Sequence, residues 1–394
     1  MNEAVLVDGV RTAIGKMGGS LSQFRPEELA AFALKGLIEK TKLNPALVED
    51  ILIGHACTNN AAVNIARWAA LKAGFPVSVP AQTVERQCGS ALQTTNTAAA
   101  YIRAGFGKVY IAGGCESWSN QPYLMERQKT PFSLLPPAWL TRQVGPDAET
   151  DVPMGIIAET LAEEFAISRE EQDKFGLASQ ERAAAAIAAG YFDEEIVPVA
   201  VPQPKGEPVL FARDEFPRQT SLEKLAALRP AFKKNGTVTA GTSSGMNDGG
   251  VALLWMEQAQ AENLGYKPLV RFVDCAVTAR EPKYMGIAPV DAIKAVLNKT
   301  GLTLAQMDVV ECNEAFAAQT LAVMKILAQE GHCIDAAKWN PNGGAIAFGH
   351  PNGMTGGRLT LAVAHQLKRT QGRYGLATLC IGGGQGIATI FERV

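Results

Sequence analysis

The sequence predicts an α/β protein made of a duplicated half, with a separate domain inserted between the copies. Three observations carry that expectation. Short apolar runs alternate with helical patterns at both ends of the chain, which is how a sheet with helices packed on it reads. Two stretches of the first third return in the last third. Val48-Glu49-Asp50-Ile51-Leu52-Ile53-Gly54 is echoed by Gln306-Met307-Asp308-Val309-Val310-Glu311-Cys312, and a helix beginning at Cys88 and followed by Tyr110-Ile111-Ala112-Gly113-Gly114 is echoed by a helix over Thr355 to Lys368 followed by Leu379-Cys380-Ile381-Gly382-Gly383. Such self-similarity marks a repeat, and it places corresponding loops of the two halves around a shared centre. Between the copies, from Gln121 to Gly250, Pro122, Pro131, Pro136, Pro137, Pro146 and Pro153 precede a long alanine-rich helix. At 394 residues the chain is also too long for one ordinary core.

In order, the first half reads as a strand (Ala4 to Val7), a helix (Pro26 to Lys40), a strand (Asp50 to Ile53), a helix (Asn60 to Ala73), an apolar run (Val77 to Val84), the Cys88 helix stopped by Gly105, and a strand (Val109 to Ala112). Alternation of this kind predicts mostly parallel strands. In the insertion the long helix starts at Ser168, with Glu171 placed to complete a capping box. The expected division is 1–119 plus 246–267 for the first half, 120–245 for the insertion and 268–394 for the second half.

Lys plus Arg number 37 and Asp plus Glu 39, a formal net charge of −2, so no global field recruits nucleic acid or an anionic membrane surface. No stretch has the length and apolarity of a bilayer-spanning helix. Seven cysteines at positions 57, 88, 115, 275, 312, 333 and 380, with no C-x-x-C pair, speak against a disulfide framework and against a structural zinc site, and no metal is expected. The chain start has no export signal and the end, Phe391-Glu392-Arg393-Val394, no simple address, so a cytoplasmic protein is expected.

Four positions carry the chemistry. Cys88 opens a helix, where free backbone N–H groups and the helix dipole favour a thiolate, and Gly89 leaves the approach to sulfur open. Asn313, in Cys312-Asn313-Glu314-Ala315-Phe316-Ala317, follows a strand and opens a helix, the end of a sheet where ligand sites form; a plain helix cap is the bland reading. His350 is the only ionisable side chain of the glycine-dense loop Asn342 to Gly353, whereas His55, His332 and His365 read as structural. Cys380 ends a strand beside Gly382, Gly383 and Gly384, whose bare N–H groups are oxyanion-hole material. Nucleotide binding fails as a reading of those glycines, because only eight residues follow Gly386 and no Walker-type motif occurs.

Together Val10-Arg11-Thr12-Ala13-Ile14-Gly15-Lys16, Gln87-Cys88-Gly89-Ser90, Asn313-Glu314-Ala315-Phe316, Asn342-Gly343-Gly344-Ala345-Ile346 with Gly349-His350-Pro351, and Cys380-Ile381-Gly382-Gly383-Gly384 resemble the thiolase family over essentially the whole chain. The resemblance implies a duplicated, five-layered αβαβα fold with an inserted loop domain, usually a homodimer or homotetramer. It implies reversible condensation and thiolysis of 3-ketoacyl-CoA, with coenzyme A thioesters as substrates and no permanently bound cofactor. Cys88 would accept the acyl group and Cys380 would move the proton on the acetyl methyl or leaving thiol. His350 would activate Cys88 and, with a water held by Asn313, bind one thioester oxygen; the N–H groups of Cys88 and Gly382 would bind the other. CoA would lie across the insertion, with Ser244 at the pantetheine and Arg218 near the adenine. Phe232, Met154, Met285 and Phe316 are candidates for the apolar walls, with plain core packing about as probable for each.

Glu85, Pro153 and Ile157 depart from residues usual in the family, while the ending and the Thr239 to Ser244 segment look more like degradative 3-ketoacyl-CoA thiolases. Two other readings stay open. A ketosynthase-like condensing enzyme would pair its cysteine with two histidines, or His and Asn, and lack Cys380, and a non-catalytic acyl-CoA-binding protein would have lost a cysteine or the His350 motif.

Overall fold

The computed structural model describes residues 2–58, 62–132 and 135–394. The first half supplies β1 (Ala4–Thr12), α1 (Pro26–Thr41), β2 (Asp50–His55), α2 (Ile65–Lys72), β3 (Ala81–Val84), α3 (Ser90–Ala104) and β4 (Val109–Ser117). The insertion carries α4 (Met154–Glu164) and α5 (Arg169–Ala188), and the chain then returns as β5 (Asn247–Glu257). The second half follows as β6 (Val270–Ala279), α6 (Ala288–Thr300), β7 (Met307–Cys312), α7 (Ala317–Gln329), α8 (Asn352–Thr370), β8 (Tyr374–Ile381) and β9 (Gln385–Arg393).

Strand order runs β7-β8-β9-β6-β1-β5-β4-β2-β3. The halves meet at a seam only two residue pairs long, Val5 with Arg271 and Leu6 with Val270. Read outward from it, β1-β5-β4-β2 in one half matches β6-β9-β8-β7 in the other, and β3 has its counterpart in the single parallel bridge of Val310 with Trp339. The duplication is therefore structural as well as sequential.

Apolar clusters define the layers. Leu34, Leu37, Ala66 and Ala69 of α1 and α2 pack on Ile51, Ile53 and Ile111. Leu92 and Ile102 of α3, with Leu359 and Leu361 of α8, share one cluster with strand residues of both halves, including Leu253, Trp255, Leu379 and Phe391. Ile293, Val296, Val323 and Leu327 of α6 and α7 cover Val310, Leu376 and Ile390. Helix, sheet, helix, sheet, helix is the five-layered arrangement, with α3 and α8 at its centre.

The expectation of mostly parallel strands needs correction. Only the β2–β3, β2–β4 and β7–β8 ladders are parallel among the core strands, and β1–β5, β5–β4, β6–β9 and β8–β9 are antiparallel. The reason is local for β8 and β9, which only Gly382 to Gly384 separate; so short a link can join antiparallel strands alone. The first strand is also longer than its apolar run, because Arg11 and Thr12 are buried polar residues within it. The second helix starts at Ile65, capped by the Asn64 side chain, which accepts from Arg67 N at 3.0 Å; its expected start at Asn60 lies outside the described residues.

One polar anchor ties the insertion to the first half. Arg11 on β1 donates Nε to Glu195 at 2.7 Å and both Nη groups to Asp214 at 2.7 and 2.9 Å, a bidentate pair that holds a buried guanidinium. Ser168 and Glu171 form the expected capping box at the start of α5. α4 packs along α7 through Ala158, Ala162 and Ala318, so this helix of the insertion lies on the second half.

Candidate active site

The turn that presents Cys88 is built by its neighbours. Ser90 Oγ accepts from Arg86 N at 2.9 Å and donates to Gln87 O at 2.6 Å, closing a tight turn over Gln87–Gly89 before α3 begins at Ser90. Cys88 thus precedes the α-helix rather than opening it. Gln87 has φ of +43°, a left-handed backbone uncommon for a residue with a side chain. Glu85 Oε1 accepts the Gln87 N–H at 2.6 Å and so holds that conformation, which gives the departure at position 85 a structural role. Gly89 has a reason other than access to sulfur: a Cβ there would sit 2.5 Å from Ile381 Cδ1, so glycine lets the turn press against the β8–β9 hairpin of the other half.

Around Cys88 Sγ three N–H groups converge. Asn352 Nδ2 donates at 3.1 Å, and the backbone N–H groups of Gly382 and of Cys88 itself point at the same sulfur. Burial outweighs them and pushes the thiol above its ordinary value, with the Glu116 carboxylate adding to the rise. The resting thiolate expected from a helix N-terminus is overturned by desolvation. Cys380 at the end of β8 is buried in the apolar cluster that also holds Met285, and burial, then the nearby Cys88, raises its thiol as well. Cys380 feels the charge of Cys88, so the two halves of the repeat bring the two thiols together.

Asn313 sits in a turn, with α7 beginning only at Ala317 and its backbone N–H bonded to Thr378 O at 3.0 Å, so it does not open the helix. Asn340, itself at φ +45°, brackets that turn by accepting from Cys312 N at 2.8 Å and donating to Cys312 O at 2.9 Å and Glu314 Oε1 at 2.8 Å. Glu314 Oε2 accepts from Ser179 Oγ on α5 at 2.6 Å and Ile346 N at 3.3 Å, tying insertion, turn and histidine loop together.

His350 Nδ1 lies 2.7 Å from Thr355 Oγ1, and that hydroxyl donates to Pro351 O at 3.0 Å. The hydrogen-bond network therefore assigns the proton to Nδ1, leaving Nε2 bare and facing Asn313 Nδ2 at 3.3 Å. Burial, helped by Arg358, lowers the imidazole pKa to about 3, so His350 is neutral at working pH. Asn313 Oδ1 is buried with no hydrogen-bond partner among the described residues, a free acceptor beside the imidazole.

The remaining candidates lie farther out. Ser244 is half-buried, its N–H on Ala315 O at 2.9 Å. Arg218 is exposed and donates to Ala240 O at 2.9 Å. Phe232, 42% exposed, packs edge-on against half-buried Phe316 with ring centroids 5.8 Å apart, and Met154 is half-buried. Met285 is a core residue at 4% exposure. His55 and His365 pair with Glu116 and Glu194 at 3.1 Å each, as structural histidines do. Sequence reasoning missed Asn352, Thr355, Asn340 and Trp118; the first two stand two and five residues beyond His350 in a stretch already singled out, and that proximity was the available signal.

Two thiols from facing halves, a neutral imidazole and N–H groups aimed at sulfur are the equipment of a thiol-dependent acyltransferase. The chain matches the family models Thiolase, N-terminal domain over residues 4–259 and Thiolase, C-terminal domain over 266–393. It belongs to the thiolase family. Acetyl-CoA acetyltransferase of Pseudomonas aeruginosa is 45% identical over 397 residues, covering 100% of both chains, and a beta-ketoadipyl-CoA thiolase of Acinetobacter baylyi is 45% identical over 406 residues with the same coverage. The crystal structure of Bacillus anthracis acetyl-CoA acetyltransferase superposes with a TM-score of 0.94 at 40% identity, covering 100% of this chain and 99% of that one. Human mitochondrial 3-ketoacyl-CoA thiolase in complex with CoA gives 0.92 at 39% identity, covering 100% and 98%.

Proposed function

We propose that this thiolase condenses and cleaves 3-ketoacyl-CoA through an acyl-enzyme on Cys88. The observation that carries the reading is the convergence on one sulfur of N–H groups from both halves, with a second thiol beside it. The Cys88 proton passes to bare Nε2 of His350 as sulfur attacks the thioester carbon, and the Gly382 and Cys88 N–H groups take the charge that develops on oxygen. The bond from carbon to the CoA sulfur then breaks, and that sulfur leaves with the proton. In the second half-reaction Cys380 passes its proton to Nε2 of His350 and, as thiolate, removes a proton from the methyl of acetyl-CoA. The resulting enolate oxygen is met by that Nε2–H and by a water for which Asn313 Oδ1 is the free acceptor, the enolate carbon bonds to the acyl carbon on Cys88, and the Cys88 sulfur leaves with the His350 proton. A carbanion next to a carbonyl forms at useful rates only when its charge reaches such donors, each worth about 3 kcal/mol.

On this reading CoA runs along the insertion, 120–245, past Ser244 toward Arg218, with Phe232, Phe316 and Met154 flanking the acyl and pantetheine path and Met285 behind it. The halves 1–119 plus 246–267 and 268–394 supply the reacting groups. The names of the relatives, which span acetyl-CoA and beta-ketoadipyl-CoA enzymes, support short or medium acyl chains of fatty acyl and related metabolism. Exposed Tyr123, Phe132 and Trp139 support a homo-oligomer, and seven free thiols fit a cytoplasmic setting. Incubation with acetyl-CoA followed by peptide mass spectrometry should find one acetyl group on Cys88, and thiolysis of acetoacetyl-CoA should be compared with that of longer ketoacyl-CoAs. Absence of the adduct, with CoA still bound, would favour an acyl-CoA-binding protein without turnover.

A further inference from the structure

Asn352 is held by two contacts of opposite polarity. Its Oδ1 accepts the Trp118 indole N–H at 2.7 Å, and its Nδ2 donates to Cys88 Sγ at 3.1 Å. An amide can rotate to present either end, and the indole, a donor only, permits just one answer. Trp118 therefore forces the N–H end toward sulfur. The two supports come from different places: Trp118 stands in a short turn directly after β4 and Asn352 opens α8, so the bridge links the nucleophile's own half to the other.

We propose that Asn352 is a further catalytic residue of the acyl transfer, its Nδ2–H stabilising the Cys88 sulfur whenever it carries negative charge, and that Trp118 is the residue that positions it. The inference rests on the reading of Cys88 as nucleophile. In the transfer, RCO–S–CoA and the Cys88 thiol become RCO–S–Cys88 and CoA–SH: the S–H and CoA S–C bonds break, the Cys88 S–C and CoA S–H bonds form. The sulfur is anionic twice per turnover, once as it attacks and once as the acyl group leaves it. A donor fixed at the sulfur lowers both barriers, and a thioester sulfur, a poor acceptor, loses most of that bond between the two events. The titratable groups whose charge couples to Cys88 are Glu116 at the end of β4, Cys57 after β2 and Cys380 on β8. Glu116 opposes the thiolate, which leaves the N–H donors to favour it.

The experiment measures the pH dependence of iodoacetamide alkylation at Cys88, located by mass spectrometry, beside kcat and KM for acetyl-CoA. Asn352→Leu removes the donor at nearly constant volume, and Asn352→Asp keeps the shape while replacing the donor with an acceptor. Both should move the alkylation midpoint up by about one pH unit and lower kcat roughly tenfold to a hundredfold, with KM within about twofold. Trp118→Phe should move the midpoint the same way by less, since the amide then rotates. An unchanged midpoint in both Asn352 variants overturns the proposal, as does a raised KM with kcat retained, which would make Asn352 a wall of the acyl pocket. A shift in the Asn352 variants with none in Trp118→Phe removes the positioning role. Wild-type protein that is neither alkylated nor acetylated at Cys88 would instead sink the nucleophile assignment itself.

Discussion

Cys88 and Cys380 carry the same side chain in unequal surroundings. Three N–H groups face the Cys88 sulfur, whereas only its own backbone N–H favours the Cys380 anion and burial is the main influence on it. A thiol with a high pKa and no standing thiolate suits proton transfer, and one with aimed donors suits attack. Cys380→Ser should therefore leave Cys88 fully acetylatable while condensation falls by roughly 100- to 10,000-fold, because serine is a poor acid or base near neutrality. Mass spectrometry of the Cys88 peptide and the acetoacetyl-CoA assay separate the two effects; loss of the adduct in this variant would mean that Cys380 also serves the first step. His350 complements both thiols by resting neutral, and a neutral imidazole can take a proton that an imidazolium could not.

Among the elements, the β8–β9 hairpin does the most for the site, since one short turn holds Cys380, the Gly382 N–H and the surface on which the Cys88 turn rests. Gly384 there has φ of +86°, and a Cβ would lie 2.1 Å from Arg280 O. Gly74 has nearly the same φ, +87°, but open space around it. Gly384→Ala should lower the thermal midpoint and the activity together, by at least the ~1–3 kcal/mol of a left-handed alanine, whereas Gly74→Ala should show the smaller stability loss and keep activity. Equal losses would mean that the clash with Arg280 is relieved at no cost. Elements of this kind were readable from sequence where one local signal decides: the Gly105 stop, the Ser168 capping box and the repeat that pairs α3 with α8. Strand direction was not, because it depends on which strands become neighbours. The Asn313 turn was misread as a helix start because the brackets that hold it come from Asn340, distant in sequence. Cys88's protonation was misjudged for a related reason: a dipole is visible in a motif, and desolvation by the opposite half is not.

For the molecule as a whole, the central layers hold charges that a hydrophobic core would exclude. Glu311 on β7 is 1% exposed with neither oxygen hydrogen-bonded among the described residues, and burial, only partly offset by Arg358, raises its pKa to about 8. Its folded pKa lies above the unfolded value, so its stabilising contribution is complete below about pH 4.5 and is lost as pH rises through 8. Glu311→Gln should match wild type near pH 5 and exceed it by a few kcal/mol near pH 8.5, read as the difference in denaturation midpoints. A difference that does not grow with pH would show that Glu311 is already ionised and satisfied in the fold. The strand order has a consequence of another kind. β5 lies between β1 and β4, yet it follows the entire insertion, about 130 residues behind β4. A chain emerging from the ribosome must carry two unpaired strand edges through the synthesis of a whole intervening domain, and only then receives the strand that joins them. The nascent first half is consequently a natural client for chaperones, and completion of its sheet waits on the same segment that leads from the insertion back to the core.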